Sequence, residues 1–469
     1  MHANTQQTTT QPGLRLAFYG DDFTGSSDAL EVLAAAGLKC AMFLTPPSAG
    51  LLSTLGTFDA IGIAGDSRAM SPDEMDNTLP EVFSALKALA PQVVHYKVCS
   101  TFDSSPETGN IGHVIGMASA IFGKSAVPVV AGNPALGRYC IFGNLFALSK
   151  TDHAVHRIDR HPVMKSHPIT PMHEADLALH IGKQKSLKFG RVTINQLDDD
   201  TGLKPALEKM AENDDAILFD GATPAHLTAV GNILTTFAEQ SSPLFVVGSS
   251  GVEYGLIQHW QQSGQIDHSP APDTSLTPVE QLLVISGSAS PFSYLQIKKA
   301  IEHGFVEIGV EARALISENE KQQAAQDIID KAIELLQGGE NVVIHTAKGP
   351  DDARIADMIT FMVSRGASPE AAKTQGGKAL SIALGLITQK ILERHPLKRI
   401  VVSGGDTSSQ VTKILAPDAL VIQSAISPGA PLCKALSEKP FLSGLEIALK
   451  GGQMGDETYF VQALKGKQR

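Results

Sequence analysis

Short apolar runs recur along the chain, each closed by glycine or a polar residue and followed by a stretch of helical spacing. In the first half they are "RLAFYG", "AIGIAG", "VVHYKV", "VPVVAG", "AILFDG" and "LFVVGSS". Runs of this kind, alternating with helices such as "DALEVLAAAG" ending at Gly37, predict parallel strands in an α/β layer. The alternation weakens in "QQSGQIDHSPAPDTSLTPVEQ", rich in Pro, Ser, Asp and Gln, and a second series follows: "QLLVISGSAS", "NVVIHTAKG", "RIVVSGGDTSS" and "ALVIQSAISPG". The expected fold is therefore α/β with two domains, each a mainly parallel sheet flanked by helices, and a cleft between them. The expected boundaries are a disordered polar N-terminus over 1–13, a first domain over 14–264, a linker over 265–280 and a second domain over 281–469. No internal repeat, heptad pattern or low-complexity block interrupts this reading.

Polar residues punctuate the strand ends, where ligands bind in open α/β sheets. After the first strand stand Asp21, Asp22, Thr24 and Gly25. One Asp would suffice to cap the following helix, so two adjacent carboxylates point to chemistry as well. Asp66, Ser67 and Arg68 follow "AIGIAG", and Lys97, Ser100, Thr101 and Asp103 close or follow "VVHYKV". Arg68 and Lys97 suit a carboxylate, Arg in bidentate fashion, while Asp21, Asp22 and Asp66 can accept hydrogen bonds from hydroxyls. A hydroxy acid offers both complements. The segment "DRHPVMKSHPITPMHEADL" spaces His161, His167 and His173 six apart, but a proline-broken loop does not guarantee convergence, and no metal site is assigned.

The second half carries a different style of turn. Ser286 and Ser288 lie in "ISGSAS", Gly404, Gly405, Asp406 and Thr407 in "SGGDTSS", and Gly451, Gly452 and Gln453 in "LKGGQMGD". Glycine lets backbone N–H groups approach an anion, helix N-termini favour negative charge, and hydroxyls add donors; three such turns in one domain point to a nucleotide. The standard phosphate signatures are missing. "FGKSAV" has Ala118 where a P-loop needs glycine, and "TQGGKAL" has Ala372 and Ala379 at required positions. No GxGxxG opens an N-terminal βαβ unit.

Charge and cysteine content narrow the partners. Against 38 Lys and Arg stand 49 Asp and Glu, a formal charge of −11, which argues against nucleic-acid and anionic-membrane partners. The four cysteines are widely spaced with no CxxC pair, which suits a reducing, cytoplasmic setting. The N-terminal "MHANTQQTTTQPG" lacks the apolar core of a signal peptide, and no apolar run is long enough to span a bilayer.

The motifs "GDDFTGSSDA", "GDSRA", "KVCSTFDSS", "ISGSAS", "VSGGDTSSQV", "SPGAP" and "LKGGQMGDETYF" occur in this order, and together they resemble the four-carbon acid sugar kinase family over nearly the whole chain. The resemblance implies an N-terminal domain that holds an acid sugar and a C-terminal domain that holds ATP, with Mg2+ on the phosphates. Family members phosphorylate threonate, erythronate, 3-oxo-tetronate and, in some relatives, branched 3-oxo acids. By matching positions, Asp21, Asp22, Thr24, Gly25, Asp66, Ser67 and Arg68 fall on its acid-sugar motifs, and one of the first two aspartates is the expected base. Ser286, Ser288, Gly404, Gly405, Asp406, Thr407, Gly451, Gly452 and Gln453 fall on its nucleotide motifs. Many members read K-x-D-S-T-x-R-G where this chain has Lys97-Val98-Cys99-Ser100-Thr101-Phe102-Asp103-Ser104. Losing the acid and the Arg-Gly makes a 3-oxo acid, branched like 3-oxo-isoapionate, a competitor to a plain aldonate. Other classes that fit two α/β domains are a non-catalytic sugar-acid binding protein, which would not consume ATP, and a dinucleotide-dependent oxidoreductase, weakened by the absent fingerprint. A homodimer is the ordinary expectation for such a chain.

Overall fold

The computed structural model describes residues 13–149, 152–167, 170–241, 243–267, 276–427 and 429–466. The polar stretch 1–12 and linker residues 268–275 lie outside the described residues. The chain divides into two compact units that part between residues 270 and 271.

The first unit contains strands β1 (Leu16–Gly20), β2 (Cys40–Phe43), β3 (Ala60–Ala64), β4 (Val93–Lys97), β5 (Val127–Val130), β6 (Arg138–Ile141), β7 (Asn144–Leu148), β8 (Val155–Arg157), β9 (Phe189–Val192), β10 (Ala216–Phe219) and β11 (Leu244–Gly248). Eight of them form a parallel sheet in the order β2-β3-β1-β4-β11-β5-β10-β9. Every residue of β1, β3, β4 and β11 is buried, as expected of strands covered on both faces, and this is why β1, β3 and β11 read as continuous apolar runs. The chain leaves β1 toward β2 and leaves β4 toward β5, in opposite directions along the sheet. The strand order therefore reverses between β1 and β4, and the carboxyl ends of these two strands flank a topological switch point.

Strands β6, β7 and β8 form a separate antiparallel sheet that the sequence pattern does not announce. Its first hairpin turns through Phe142 and Gly143, both at positive φ (+49° and +77°), a type I′ arrangement that ordinarily asks for Asn-Gly. Buried Asp220, just past β10, makes the turn possible with Phe. Its carboxylate accepts the Phe142 and Gly143 N–H groups at 2.7 and 2.8 Å.

The second unit contains β12 (Leu283–Ser286), β13 (Phe305–Gly309), β14 (Asn341–His345), β15 (Arg399–Ser403), β16 (Ala419–Ser427), β17 (Ala430–Leu436) and β18 (Glu446–Lys450), in the order β13-β14-β12-β15-β18-β17-β16. The first five strands of that order are parallel. β17 runs against both of its neighbours. The turn between β16 and β17 therefore lies at the same edge as the end of β18. Gly429 stands there at φ +71°, and a Cβ on it would lie 2.1 Å from Met454 Cε. The core beneath gathers Leu282, Val284, Ile297, Val343, Val401 and Phe460 among others. No helix among the described residues is long and apolar enough to cross a membrane.

Candidate functional site

In the first unit, register decides what meets. Gly20, the last residue of β1, pairs with Ala64 on one side and Lys97 on the other, so three strands end level and their following turns are neighbours. The backbone knits them: Asp21 N–H donates to the Lys97 carbonyl at 2.8 Å, and Arg68 N–H to the Asp21 carbonyl at 3.0 Å. The helix after β1 runs Phe23–Ala35, beginning earlier than "DALEVLAAAG" suggests, because Asp22 is its N-cap and accepts the Gly25 N–H at 2.6 Å.

The cap uses one oxygen of Asp22, and the other takes a bond from Arg68. The Arg68 guanidinium forms a two-pronged pair with Asp21, Nε to Oδ2 at 3.1 Å and Nη2 to Oδ1 at 2.7 Å, while Nη1 reaches Asp22 Oδ2 at 2.7 Å. Asp21 is buried and Asp22 is partly open, with side-chain exposures of 6% and 29%. Burial, reinforced by the Asp22 charge, pushes the Asp21 carboxyl above the usual carboxylate range against the pull of Arg68. Lys97 is buried, with Nζ 3.6 Å from Asp28 Oδ2. Burial works against its ammonium, but Asp28, Asp22 and Asp21 outweigh it and hold the pKa above the usual lysine value. Gly25 is what allows this crowding, since a Cβ there would stand 2.5 Å from Asp22 Oδ1 and 2.8 Å from Lys97 Nζ.

The remaining positions divide. Asp66 is exposed at the head of the 3-10 turn Ser67–Ala69, and Ser100 and Thr24 are half-buried near the cluster. Ser67 is fully buried, its hydroxyl 2.9 Å from that of Tyr96, so it supports the floor of the site from below. Thr101 is buried and donates to Asp103 Oδ1, while Thr170 donates to Asp103 Oδ2 at 3.1 Å. Burial tends to raise Asp103, but Arg68 and Thr101 overcome it and hold the carboxyl below its ordinary value. Asp103, a polar residue of the turn after β4 in the sequence reading, belongs to this charge network, and so does Asp28, which the sequence patterns did not nominate. The histidine-rich loop joins the network through Thr170, whose N–H donates to His167 Nδ1 at 3.2 Å. Among the described residues no group of three His, Cys, Asp or Glu could hold a metal ion.

The second unit repeats the level strand ends with other chemistry. Ser286 pairs with Ser403, and Ser403 with Lys450, so the turns after β12, β15 and β18 adjoin. Gly287 N–H donates to the Ser403 carbonyl at 3.1 Å, and Gly404 N–H to the Lys450 carbonyl at 2.9 Å. The Gly452 carbonyl accepts the Ser290 and Ser293 hydroxyls at 2.6 and 3.0 Å. Side chains are excluded at the closest approaches: a Cβ on Gly287 would lie 2.0 Å from Thr407 Oγ1, and one on Gly452 2.3 Å from Ser288 Oγ.

Two helices begin at these turns, and they differ. Helix Pro291–Glu302 is capped by Ser290, which accepts the Ser293 N–H at 3.0 Å. Helix Gly405–Leu415 follows Gly404, at φ +118°, with no side-chain cap, so its first-turn amides keep their capacity for an anion. Thr407 is buried there, Asp406 is exposed on the first turn, and Gln453 is exposed on the late turn. Ser286 Oγ is buried with no hydrogen-bond partner among the described residues. A glycine cradle, an uncapped helix start and an orphaned hydroxyl are a donor set that fits a phosphate chain.

A family model described as a sugar-binding N-terminal domain matches residues 16–256, and one described as a nucleotide-binding C-terminal domain matches residues 283–460. A 3-oxo-isoapionate kinase of Paraburkholderia graminis is 36% identical over 463 residues, covering 99% of this chain and 97% of its own. A 3-oxo-tetronate kinase of Cupriavidus necator is 27% identical over 455 residues, covering 96% of each. A solved structure from Salmonella typhimurium LT2, described as a putative tRNA synthase, superposes with a TM-score of 0.75 at 24% identity, covering 96% of this chain and 98% of its own. That last likeness concerns fold alone.

Proposed function

The chain belongs to the four-carbon acid sugar kinase family, and we propose that it transfers the γ-phosphoryl group of ATP to a hydroxyl of a branched 3-oxo acid sugar of the 3-oxo-isoapionate type. The enzyme is a kinase acting on a sugar acid; the readings as a binding protein or an oxidoreductase are set aside by its relatives. One observation carries the acid-sugar assignment: the joined cluster of Asp21, Asp22, Arg68 and Lys97 on three level strand ends. The choice of a branched acid is supported by the relative at 36% identity and by Cys99 standing where many members have an acid.

Phosphoryl transfer asks the protein mainly for alignment and charge neutralisation. Arg68 spends three of its five N–H groups on the aspartates, and the remaining two, with Lys97, are available to the substrate carboxylate. Asp21 fixes Arg68. Asp22 is the more open carboxylate and has lone pairs left to accept a hydroxyl proton, so it takes the role of base. The amides of residues 405–407 and the turns at Gly287 and Gly452 receive the phosphates. Bound Mg2+ would neutralise phosphate charge, and Asp406, exposed in the first turn of helix Gly405–Leu415, is the carboxylate that would meet it. Cys40, Cys99 and Cys140 are free thiols, which supports a cytoplasmic location.

The test is ADP release from MgATP with 3-oxo-isoapionate, 3-oxo-tetronate, threonate and erythronate, one at a time. The branched 3-oxo acid gives the highest kcat/KM. A silent panel overturns the reading, and a preference for threonate overturns the choice of acid.

A further inference from the structure

Lys450 closes β18 and leads directly into the glycine turn at residues 451–453, yet it is only 2% exposed. Its ammonium donates to Ser403 Oγ at 2.9 Å, and Ser403 is the residue before Gly404. Ser293 Oγ, 3.4 Å from that same hydroxyl, supports the Gly452 carbonyl. The nitrogen thus lies beneath the junction of two glycine turns. Shared register places it on one sheet face with Ser403 and with the orphaned Ser286 hydroxyl. Among the described residues it makes no ion pair, although a buried lysine ordinarily requires one.

Among the described residues, the elements around it supply no compensating charge. From β15 comes Ser403, and from helix Pro291–Glu302 comes Ser293, both neutral. Helix Tyr459–Lys465 presents the rings of Tyr459 and Phe460, 5.9 and 5.8 Å from the nitrogen, and the Tyr459 hydroxyl is directed to the Ala430 carbonyl. Glu446, on the same strand, is held by Arg399, and Asp456 accepts bonds from Thr458 and Gln462. Burial alone therefore acts on the amine, drawing its pKa down to about 7. A buried amine under a phosphate cradle, with no counter-ion among the described residues, is a site prepared for a negative charge that arrives with the ligand.

We propose that Lys450 is the charge partner of the nucleotide phosphates in the second unit and takes up a proton from solvent as they bind. This rests on the ATP assignment above and adds to it a residue not among the nucleotide positions named from the sequence. The test is titration calorimetry of the whole chain with MgATP at about pH 8, in two buffers of different ionisation heat. The wild type takes up close to one proton per nucleotide. Lys450→Met takes up none and binds about tenfold more weakly. Lys450→Arg, always charged, binds but takes up none, which separates lost charge linkage from lost folding. Proton uptake that persists in Lys450→Met overturns the proposal. Binding without uptake in the wild type overturns it while sparing the kinase reading, whereas no MgATP binding at all overturns both.

Discussion

The two units build their sites on the same scaffold, the carboxyl edge of a parallel sheet, and furnish it in opposite ways. In the first, long charged side chains are locked against one another: Asp21, Asp22 and Arg68 form one network, with Lys97 and Asp28 beside it. In the second, side chains are removed: Gly287, Gly404 and Gly452 clear space so that amides and hydroxyls line the edge. The difference follows from the ligand each is proposed to hold. A small acid with several hydroxyls needs donors and acceptors at defined points, which charged side chains supply. A polyphosphate needs many donors close together, which main chain supplies with less lost side-chain entropy.

The contrast can be broken at its ends. Asp22→Asn removes the proposed base, and kcat falls by about 10²–10⁴-fold while MgATP affinity in calorimetry stays unchanged. An equal loss of MgATP affinity would reverse the division of labour between the units. Gly287→Ala drives a methyl toward Thr407, and MgATP binding weakens by up to about a hundredfold with acid binding unchanged.

Lys450 sharpens the comparison through stability. Its folded pKa, about 7, lies below the unfolded value of 10.5, so between them the unfolded chain binds more protons. The cost of burying the ammonium is fully present below pH 7 and is relieved as pH rises toward 10.5. Between about pH 7 and 8.5 the nucleotide-free second unit gains about 2 kcal/mol, read as denaturant midpoints against Lys450→Met, which lacks the gain. The smallest effect is expected of Gly25→Ala, which crowds Asp22 and Lys97: KM for the acid rises about tenfold, and MgATP binding does not move.

Legibility in the sequence followed the same division. Strands buried on both faces, such as β1, β3 and β11, are continuous apolar runs, and the polar residues at their ends could be nominated because period and punctuation agree. Glycine turns were readable for the same reason. What escaped was whatever depends on a remote partner. The Phe142-Gly143 hairpin exists because Asp220, far along the chain, holds two of its amides. Ser67 looked like a ligand residue, but its hydroxyl meets Tyr96, and only the packed sheet shows that. Asp103 was in view as a polar turn residue, but its bond from Thr170 in another loop was not. The antiparallel course of β17 left no mark, since a strand buried in either direction has the same apolar pattern.

That reversed strand alters what a hairpin tip means in this protein. A parallel neighbour for β18 would have required a long crossover, whereas two reversals bring the chain back within a few residues. Hairpin tips are usually the places where chains gain or lose residues without penalty. Here the tip at Gly429 shares its rim with Met454 and the late glycine turn, so under the proposed assignment a length change in that hairpin becomes a change in grip on the phosphate donor, and a deliberate one-residue extension there offers a way to retune it.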